Sequence, residues 1–425
     1  MTHFGILCPT ASGHLNPMTT LGSELLHRGH RVTLFGFPDA ESTTLASGLE
    51  FQSLAENEFP LGWNQESLSK LGKLSGLGAF RYTIDLVAQV STELLTQAPA
   101  IIKKVGVEAL LVDQVSPEGG TIADFLAIPF ITVCNALMLN REPNIPPICT
   151  PWQYSPTWQG RWRNQLGDRL IDLAAKPIEN IINEYRRRWK LPLAKLPNDY
   201  YSQLAQLSQQ PAEFDFPRQD LPPNFHFTGP YHNRATRQQV SFPFEQLTGK
   251  PLIYASMGTV QNRLLEVFQI IASACAGLDA QLVISLGGGA SPESLPQLPG
   301  NPIVVGYAPQ LELLQKATLT ITHAGMNTTL ESLSNGVPMV AIPVANDQPG
   351  VAARIAYTGV GEVVSLKELS VDRVRSTVEK VLRLPPGRGR WKCRRRPALE
   401  GAAPRRALGR QGPARHRRHP HHLGR

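Results

Sequence analysis

The segment from Leu319 to Ile342 constrains the fold more than any other part of this chain. The apolar run Leu319 to Thr322 reads as a strand, and Ala324-Gly325 turns the chain tightly. Helical spacing begins near Met326 and stops at Asn335-Gly336, with Pro338 beyond it. Met339-Val340-Ala341-Ile342 then reads as the next strand. A small-residue turn feeding a helix N-terminus suits a phosphate, because free N–H groups and the positive end of the dipole both favour an anion. Asn327, Thr328 and Glu331 are three and four residues apart and share one helix face. That face offers phosphate donors first and a carboxylate one turn later, a spacing that suits the hydroxyls of a ribose.

The same alternation runs through the chain. His3–Cys8, Val32–Phe37, Leu110–Val112 and Phe130–Val133 read as strands with helical stretches between them. Asn16-Pro17 reads as the cap and first residue of a helix carrying Met18, Leu21, Leu25 and Leu26, which Gly29 ends. Residues 60–108 read as mainly helical, 141–160 as a long loop and 165–190 as a helix. Its run Arg186-Arg187-Arg188 reads as a solvated face. A second set of strands lies at Leu252–Ala255, Leu282–Ser285, Ile303–Val305, Leu319–Thr322 and Met339–Ile342. Strands apolar on both faces, alternating with helices, predict parallel sheets covered on both sides. The polar stretch near 231–240 reads as the linker between two such α/β domains. Gly287-Gly288-Gly289 lacks the spacing of a dinucleotide motif and reads as a flexible turn.

Two polar residues fall at carboxyl ends of strands in the first set, where ligands of such sheets bind. His14 lies in the loop after the first strand, within Gly13-His14-Leu15-Asn16-Pro17, and Asp113 closes the strand Ala109–Val112. A carboxylate bonded to one ring nitrogen fixes the tautomer and leaves the other nitrogen as a general base. Taken singly, His14 also fits a helix-terminal histidine bonded to backbone, and Asp113 a turn former at a strand end.

Composition removes several classes. No run of 18 apolar residues predicts a spanning helix. The N-terminus shows no signal-peptide pattern, and five scattered cysteines without a CxxC fit a reducing cytoplasm rather than a zinc or disulfide framework. The net charge of +8 belongs to the C-terminus: residues 385–425 hold twelve Arg and one Lys against one Glu, leaving the rest at −4. That Arg/Gly/Pro/Ala-rich tail reads as disordered and fits a shifted reading frame or cloning junction better than a nucleic-acid arm.

The segment His323 to Gln348, with Gly306-Tyr307-Ala308-Pro309-Gln310 upstream, resembles the nucleotide-sugar signature of family 1 glycosyltransferases, the UDP-glycosyltransferases. The resemblance implies a GT-B fold, with two Rossmann-like domains and parallel sheets facing across a cleft. Residues 1–235 would bind the acceptor, 236–384 would bind the nucleotide sugar, and 385–425 would be an atypical tail replacing the helix that normally crosses back. His14 and Asp113 match the family's base and its partner. Tyr307 stands where a Trp usually stacks on uracil, with Ala308 beside it, and Gln310 matches a nucleoside contact. His323 matches the imidazole on the diphosphate, and Gly325, Asn327, Thr328 and Thr259 match phosphate contacts. Glu331 matches the ribose acceptor. Asp347 and Gln348 match the pair that binds the donor sugar. Ala324 and Met326 depart from the plant-type pattern, where Cys and Trp are common.

The implied reaction is an inverting transfer of a sugar, glucose by the Gln348 match, from a UDP-sugar to an acceptor hydroxyl, without metal or other cofactor. Asp113-Gln114, Asn140-Arg141-Glu142-Pro143 and Gln209-Gln210-Pro211 are similar to the bacterial zeaxanthin glucosyltransferase subgroup. This implies an apolar hydroxylated acceptor such as a carotenoid. Flavonoids, macrolides and sterols remain alternatives, and the same residues also fit a role limited to shaping the interdomain loop. A membrane-resident acceptor leaves peripheral membrane contact open, although no strongly amphipathic basic helix stands out in the body. The rival enzyme class is a GT-B nucleotide-sugar epimerase, which would need no acceptor-activating His14–Asp113 pair. No nucleic-acid partner is expected.

Overall fold

The computed structural model describes residues 1–72, 74, 76–194, 197–237, 239–258, 265–288 and 291–383. Thr259, Gly289 and the stretch 385–425 lie outside the described residues. The first sheet holds β1 (His3–Leu7), β2 (Arg31–Gly36), β3 (Glu50–Ser53), β4 (Ala109–Asp113), β5 (Phe130–Cys134), β6 (Gln206–Ser208) and β7 (Phe225–Phe227). The second holds β8 (Leu252–Ser256), β9 (Gln281–Ser285), β10 (Ile303–Val305), β11 (Ala317–Thr322), β12 (Met339–Ala341) and β13 (Gly361–Val363). Every pairing is parallel. The orders are β3-β2-β1-β4-β5-β6-β7 and β10-β9-β8-β11-β12-β13.

Around the first sheet lie α1 (Ser12–His27), α2 (Glu41–Ala46), α3 (Trp63–Gly72), α4 (Gly76–Val105), α5 (Glu118–Leu126) and α6 (Trp158–Arg188). Around the second lie α7 (Leu265–Cys275), α8 (Gln310–Leu314), α9 (Met326–Ser334), α10 (Gln348–Thr358) and α11 (Val371–Leu382). Ile6, Leu34 and Val133 form one core layer of the first sheet, and Leu7, Leu110, Val112 and Ile122 the other. Side chains alternate across a strand, so Ile6 and Leu7 feed opposite layers. Ile253, Ile284, Ile321 and Val340 do the same work in the second sheet, packed on α7 and α11. Among the described residues, no helix is long and apolar enough to cross a membrane.

In each sheet the strand order reverses at one place, between β1 and β4 and between β8 and β11. Crevices at such reversals hold ligands.

Four local expectations change. Arg186, expected on a solvated face, is buried and bonds Thr121 and Asp124, each at 2.9 Å. α1 begins at Ser12 with Ala11 as its cap, so Pro17 lies inside the helix rather than at its first residue. α6 begins at Trp158, so the last part of the expected loop 141–160 is helical. The expected linker is not structureless: Arg234–Thr236 forms a short 3-10 turn, and Thr236 is buried with its hydroxyl 3.0 Å from Thr20 of α1. Strands β3, β6, β7 and β13 carry too few residues to stand out in sequence.

Candidate active site

His14 lies in the first turn of α1, directly after β1, and Asp113 ends β4. β1 and β4 are neighbours, so the two side chains meet at the reversal point. His14 Nδ1 lies 2.8 Å from Asp113 Oδ2. Asp113 is 1% exposed and accepts two further bonds, from Asn135 Nδ2 at 2.6 Å and from the Val115 amide at 3.0 Å. Three donors therefore fix the carboxylate, and the carboxylate fixes the ring. With Nδ1 committed, Nε2 is left for a ligand on the open side, where the histidine is 20% exposed. Burial alone would lower the pKa of His14. The charge and hydrogen bond of Asp113, aided by the charge of Asp347, overcome this and raise it above 6.5.

A direct contact joins the strand-end loops of the two sheets. Asp347 caps α10 without bonding its own helix, and its Oδ2 accepts from the Leu137 amide at 3.0 Å, in the loop after β5. Burial raises its pKa, with the Leu137 amide and His14 opposing. Gln348 turns inward: its Oε1 accepts from the amides of Val344 and Ala345 at 2.8 and 3.0 Å. That bracing holds the preceding turn and leaves its amide nitrogen uncommitted by those two bonds.

The second sheet's reversal point carries the turn between β11 and α9. Ala324 has φ +65°, a left-handed conformation that costs a non-glycine residue roughly 1–2 kcal/mol. A Cβ on Gly325 would sit 2.4 Å from His323 Nε2, and one on Gly258 2.8 Å from the same atom. Both glycines are therefore required by the imidazole lying against them. Burial lowers the His323 pKa to about 4, with a backbone bond to Ser256 pulling the other way, so the ring is a neutral group at ordinary pH. Gly325 caps α9 with no side-chain capping bond, so no side chain competes for the first-turn N–H groups.

One turn further, Glu331 is 2% exposed and held from two sides. Gln310 Nε2 donates to its Oε2 at 2.6 Å, and Arg237 donates to its Oε1 at 2.6 Å. Gln310 also reaches the Thr328 hydroxyl at 3.3 Å and accepts from the Tyr254 hydroxyl at 3.1 Å. Tyr307 is 40% exposed, next to buried Ala308 and beside the turn at Gly287 and Gly288. The glycines there have φ +65° and +79° and form a turn against the Tyr307 loop.

Asn327 spans the two halves. Its Nδ2 donates to the Gly13 carbonyl at 3.1 Å and its Oδ1 accepts from Gln209 Nε2 at 2.9 Å. Both ends of an amide expected to face phosphate are thus engaged by the first sheet's loops.

Thus His14 pairs with Asp113, Gln310 links Thr328 to Glu331, His323 lies against Gly258 and Gly325, and Asn327 joins α9 to the turn before His14. Asn135, Leu137, Arg237 and Tyr254 were missed from the sequence, and Gln209 was singled out there only as part of Gln209-Gln210-Pro211. Asn135 follows β5 directly, so the strand-end rule that singled out Asp113 also points to it. Arg237 lies in a polar stretch without periodicity and gives no such signal. Gln114, Asn140, Glu142 and Gln210 are buried and bonded within the protein, for example Gln114 Nε2 to Asn140 Oδ1 at 2.8 Å and the Gln219 amide to Glu142 Oε2 at 2.8 Å. They shape the loops after β5 and β6.

A family model described as UDP-glucoronosyl and UDP-glucosyl transferase matches residues 6–386. The chain is 33% identical over 367 residues to a zeaxanthin glucosyltransferase of Pantoea ananas, covering 86% of this chain and 85% of that protein. It is 33% identical over 367 residues to another from Pseudescherichia vulneris, covering 86% of each. A solved structure, the glycosyltransferase of kitacinnamycin, is similar with a TM-score of 0.71 at 22% identity over 92% of each chain, a likeness that concerns the fold.

Proposed function

The chain belongs to the UDP-glucuronosyl and UDP-glucosyl transferase family, a UDP-dependent glycosyltransferase of GT-B fold, and we propose that it moves glucose from UDP-glucose to a hydroxyl of an apolar acceptor of the carotenoid class, with inversion. The observation that carries this reading is the His14–Asp113 pair, oriented at 2.8 Å and within electrostatic reach of Asp347. A nucleotide-sugar epimerase has no use for such a pair.

In this reading residues 1–235 hold the acceptor and 236–384 the donor. The acceptor hydroxyl gives its proton to His14 Nε2 while its oxygen attacks the anomeric carbon. The bond from that carbon to the diphosphate oxygen breaks, and its electron pair leaves with UDP. Asp113 keeps the imidazole in the right tautomer and stabilises the imidazolium. The α9 N-terminus receives the charge developing on the diphosphate, assisted by His323 as a neutral donor. Glu331 takes the ribose hydroxyls, Tyr307 stacks on the base, and Asp347 with the amide nitrogen of Gln348 holds the glucose hydroxyls. Direct attack from the acceptor side gives inversion in one displacement.

The donor-free arrangement adds a step. Glu331 must release Arg237 or share itself with the ribose, so Arg237 competes with the donor for one carboxylate. The carotenoid assignment is supported by the two zeaxanthin glucosyltransferases among the relatives. The test is a turnover screen with UDP-glucose against carotenoid, flavonoid, macrolide and sterol alcohols, with mass detection. A glucoside of the carotenoid alcohol is expected. Turnover confined to another acceptor class would replace the acceptor assignment, and UDP-glucose converted without any acceptor would point to the epimerase.

A further inference from the structure

The helix α6 is two different helices in physical terms. Its second half buries Ile178 and Ile182 in the core shared with α4, and Tyr185 bonds Thr96 there at 2.6 Å. Its first half buries only Gly160 and Asn164. On the outward side of that half, Trp158, Trp162, Leu166, Leu170 and Leu173 are 74%, 63%, 42%, 60% and 73% exposed. Spacings of four, four, four and three residues place them in one stripe. Isolated exposed apolar residues are ordinary, but a contiguous row of five over four turns is a binding surface.

Charge selects the occupant. Arg169 and Lys176 are exposed beside the stripe, Lys176 paired with Glu179 at 2.6 Å. The two carboxylates of the same half are paired with the loop after β5: Asp172 lies 2.6 Å and Asp168 3.6 Å from Arg141. The face is therefore apolar with a cationic edge, and it stands out as a ridge on the helix. Two tryptophans, three leucines and flanking Arg and Lys are the composition of a helix that lies in a lipid interface, apolar side down, with its cations among anionic headgroups. A second copy of the chain would set like charge against like at the same edge.

The buried side of this half is tied to the candidate active site. Asn164 bonds the Pro143 carbonyl at 3.1 Å, and exposed Arg161 bonds Asn144 of the same loop at 2.8 Å. The same loop runs to Ile148, whose carbonyl would lie 2.2 Å from a Cβ on Gly350 of α10. α10 begins beside Asp347. A bilayer under the stripe would thus hold the acceptor-side loop at the surface where an apolar alcohol is dissolved.

We propose that Trp158–Leu173 docks this chain on anionic lipid bilayers. Its purpose rests on the apolar-acceptor reading, but docking itself is measured without any acceptor. The full chain is mixed with vesicles of phosphatidylcholine containing phosphatidylglycerol, some with brominated acyl chains, at high salt so that the twelve arginines of 385–425 contribute little. Two variants are compared with the parent: Trp158→Ser/Trp162→Ser and Leu166→Ser/Leu170→Ser/Leu173→Ser. Bound fraction should fall about tenfold or more in each, and quenching by bromolipid should vanish in the tryptophan pair. Melting temperature should not change, because the substituted side chains are exposed. Equal vesicle binding by parent and variants would overturn the proposal. So would a concentration-dependent dimer abolished by the substitutions, which would make the stripe an interface between copies. Docking without transfer to any apolar alcohol would remove the acceptor reading and leave this one standing.

Discussion

The side-chain amide of Asn327, in α9, donates across the interdomain cleft to the carbonyl of Gly13, in the first turn of α1, at 3.1 Å. That oxygen is available because residue 17, four positions on, is proline and has no N–H to offer it. A proline inside α1 thus frees an acceptor one residue before His14. The consequence is a junction between the turn that carries His14 and α9.

Asn327→Ala should remove that bond and the one from Gln209. The expected loss is about 0.5–1.5 kcal/mol of unfolding free energy, since Gln209 keeps a partner in the Asn135 carbonyl and the Gly13 carbonyl is open to water. Urea denaturation of parent and variant measures it. An unchanged midpoint would show that the two bonds hold nothing together.

The pH dependence has a defined sign. His14 has a folded pKa above 6.5, so transfer, which needs the neutral ring, should fall as pH drops through that value. Asp113→Asn removes the main raising influence and should move the acid limb of kcat/KM to lower pH while slowing the reaction. The linked stability runs the other way: a raised histidine pKa stabilises the fold fully below about 6.5 and the contribution is lost as pH rises through the folded pKa. A limb that stays in place in Asp113→Asn would disconnect the two residues.

Glu331→Ala should weaken UDP binding by roughly 1.5–3 kcal/mol, the worth of a hydrogen bond to a charged group. It also strands the guanidinium of Arg237, which is only 20% exposed, so the variant should melt lower than Glu331→Gln. Calorimetry with UDP and thermal melts separate the two effects. An unchanged dissociation constant in both variants would take Glu331 out of the donor site.

Arg354 and Asp215 are each 1% exposed and paired at 2.6 Å, joining α10 to the loop after β6. Arg354 also lies 4.4 Å over the ring of Phe216. Arg218 also bonds Asp215, at 2.6 Å, so Arg354→Met leaves the carboxylate one cationic partner and should cost about 1–3 kcal/mol. Asp215→Asn takes the carboxylate from both guanidiniums and should cost more than Arg354→Met, read by denaturation.

The two-sheet architecture was legible because parallel strands buried on both faces print themselves as apolar runs. His14, Asp113 and the turn at Ala324-Gly325 were legible because ligands gather where such strands end. Short edge strands such as β6 and β13 were not, since three residues carry no periodicity. The onset of α6 was hidden by the prolines before it, and with it the exposed tryptophan stripe. Arg237 was illegible for a different reason: its importance lies wholly in a contact 94 residues away in sequence, with Glu331. Pro17 was visible, but read as a helix start rather than as the source of a free carbonyl.

The most direct measurement is glucosyl transfer from UDP-glucose by parent and His14→Ala, with UDP affinity of both by calorimetry. The account predicts that transfer falls by about a hundredfold or more, the scale of a lost general base, while the dissociation constant for UDP is unchanged. Near-native turnover in His14→Ala would contradict it, because the acceptor proton would then have another destination.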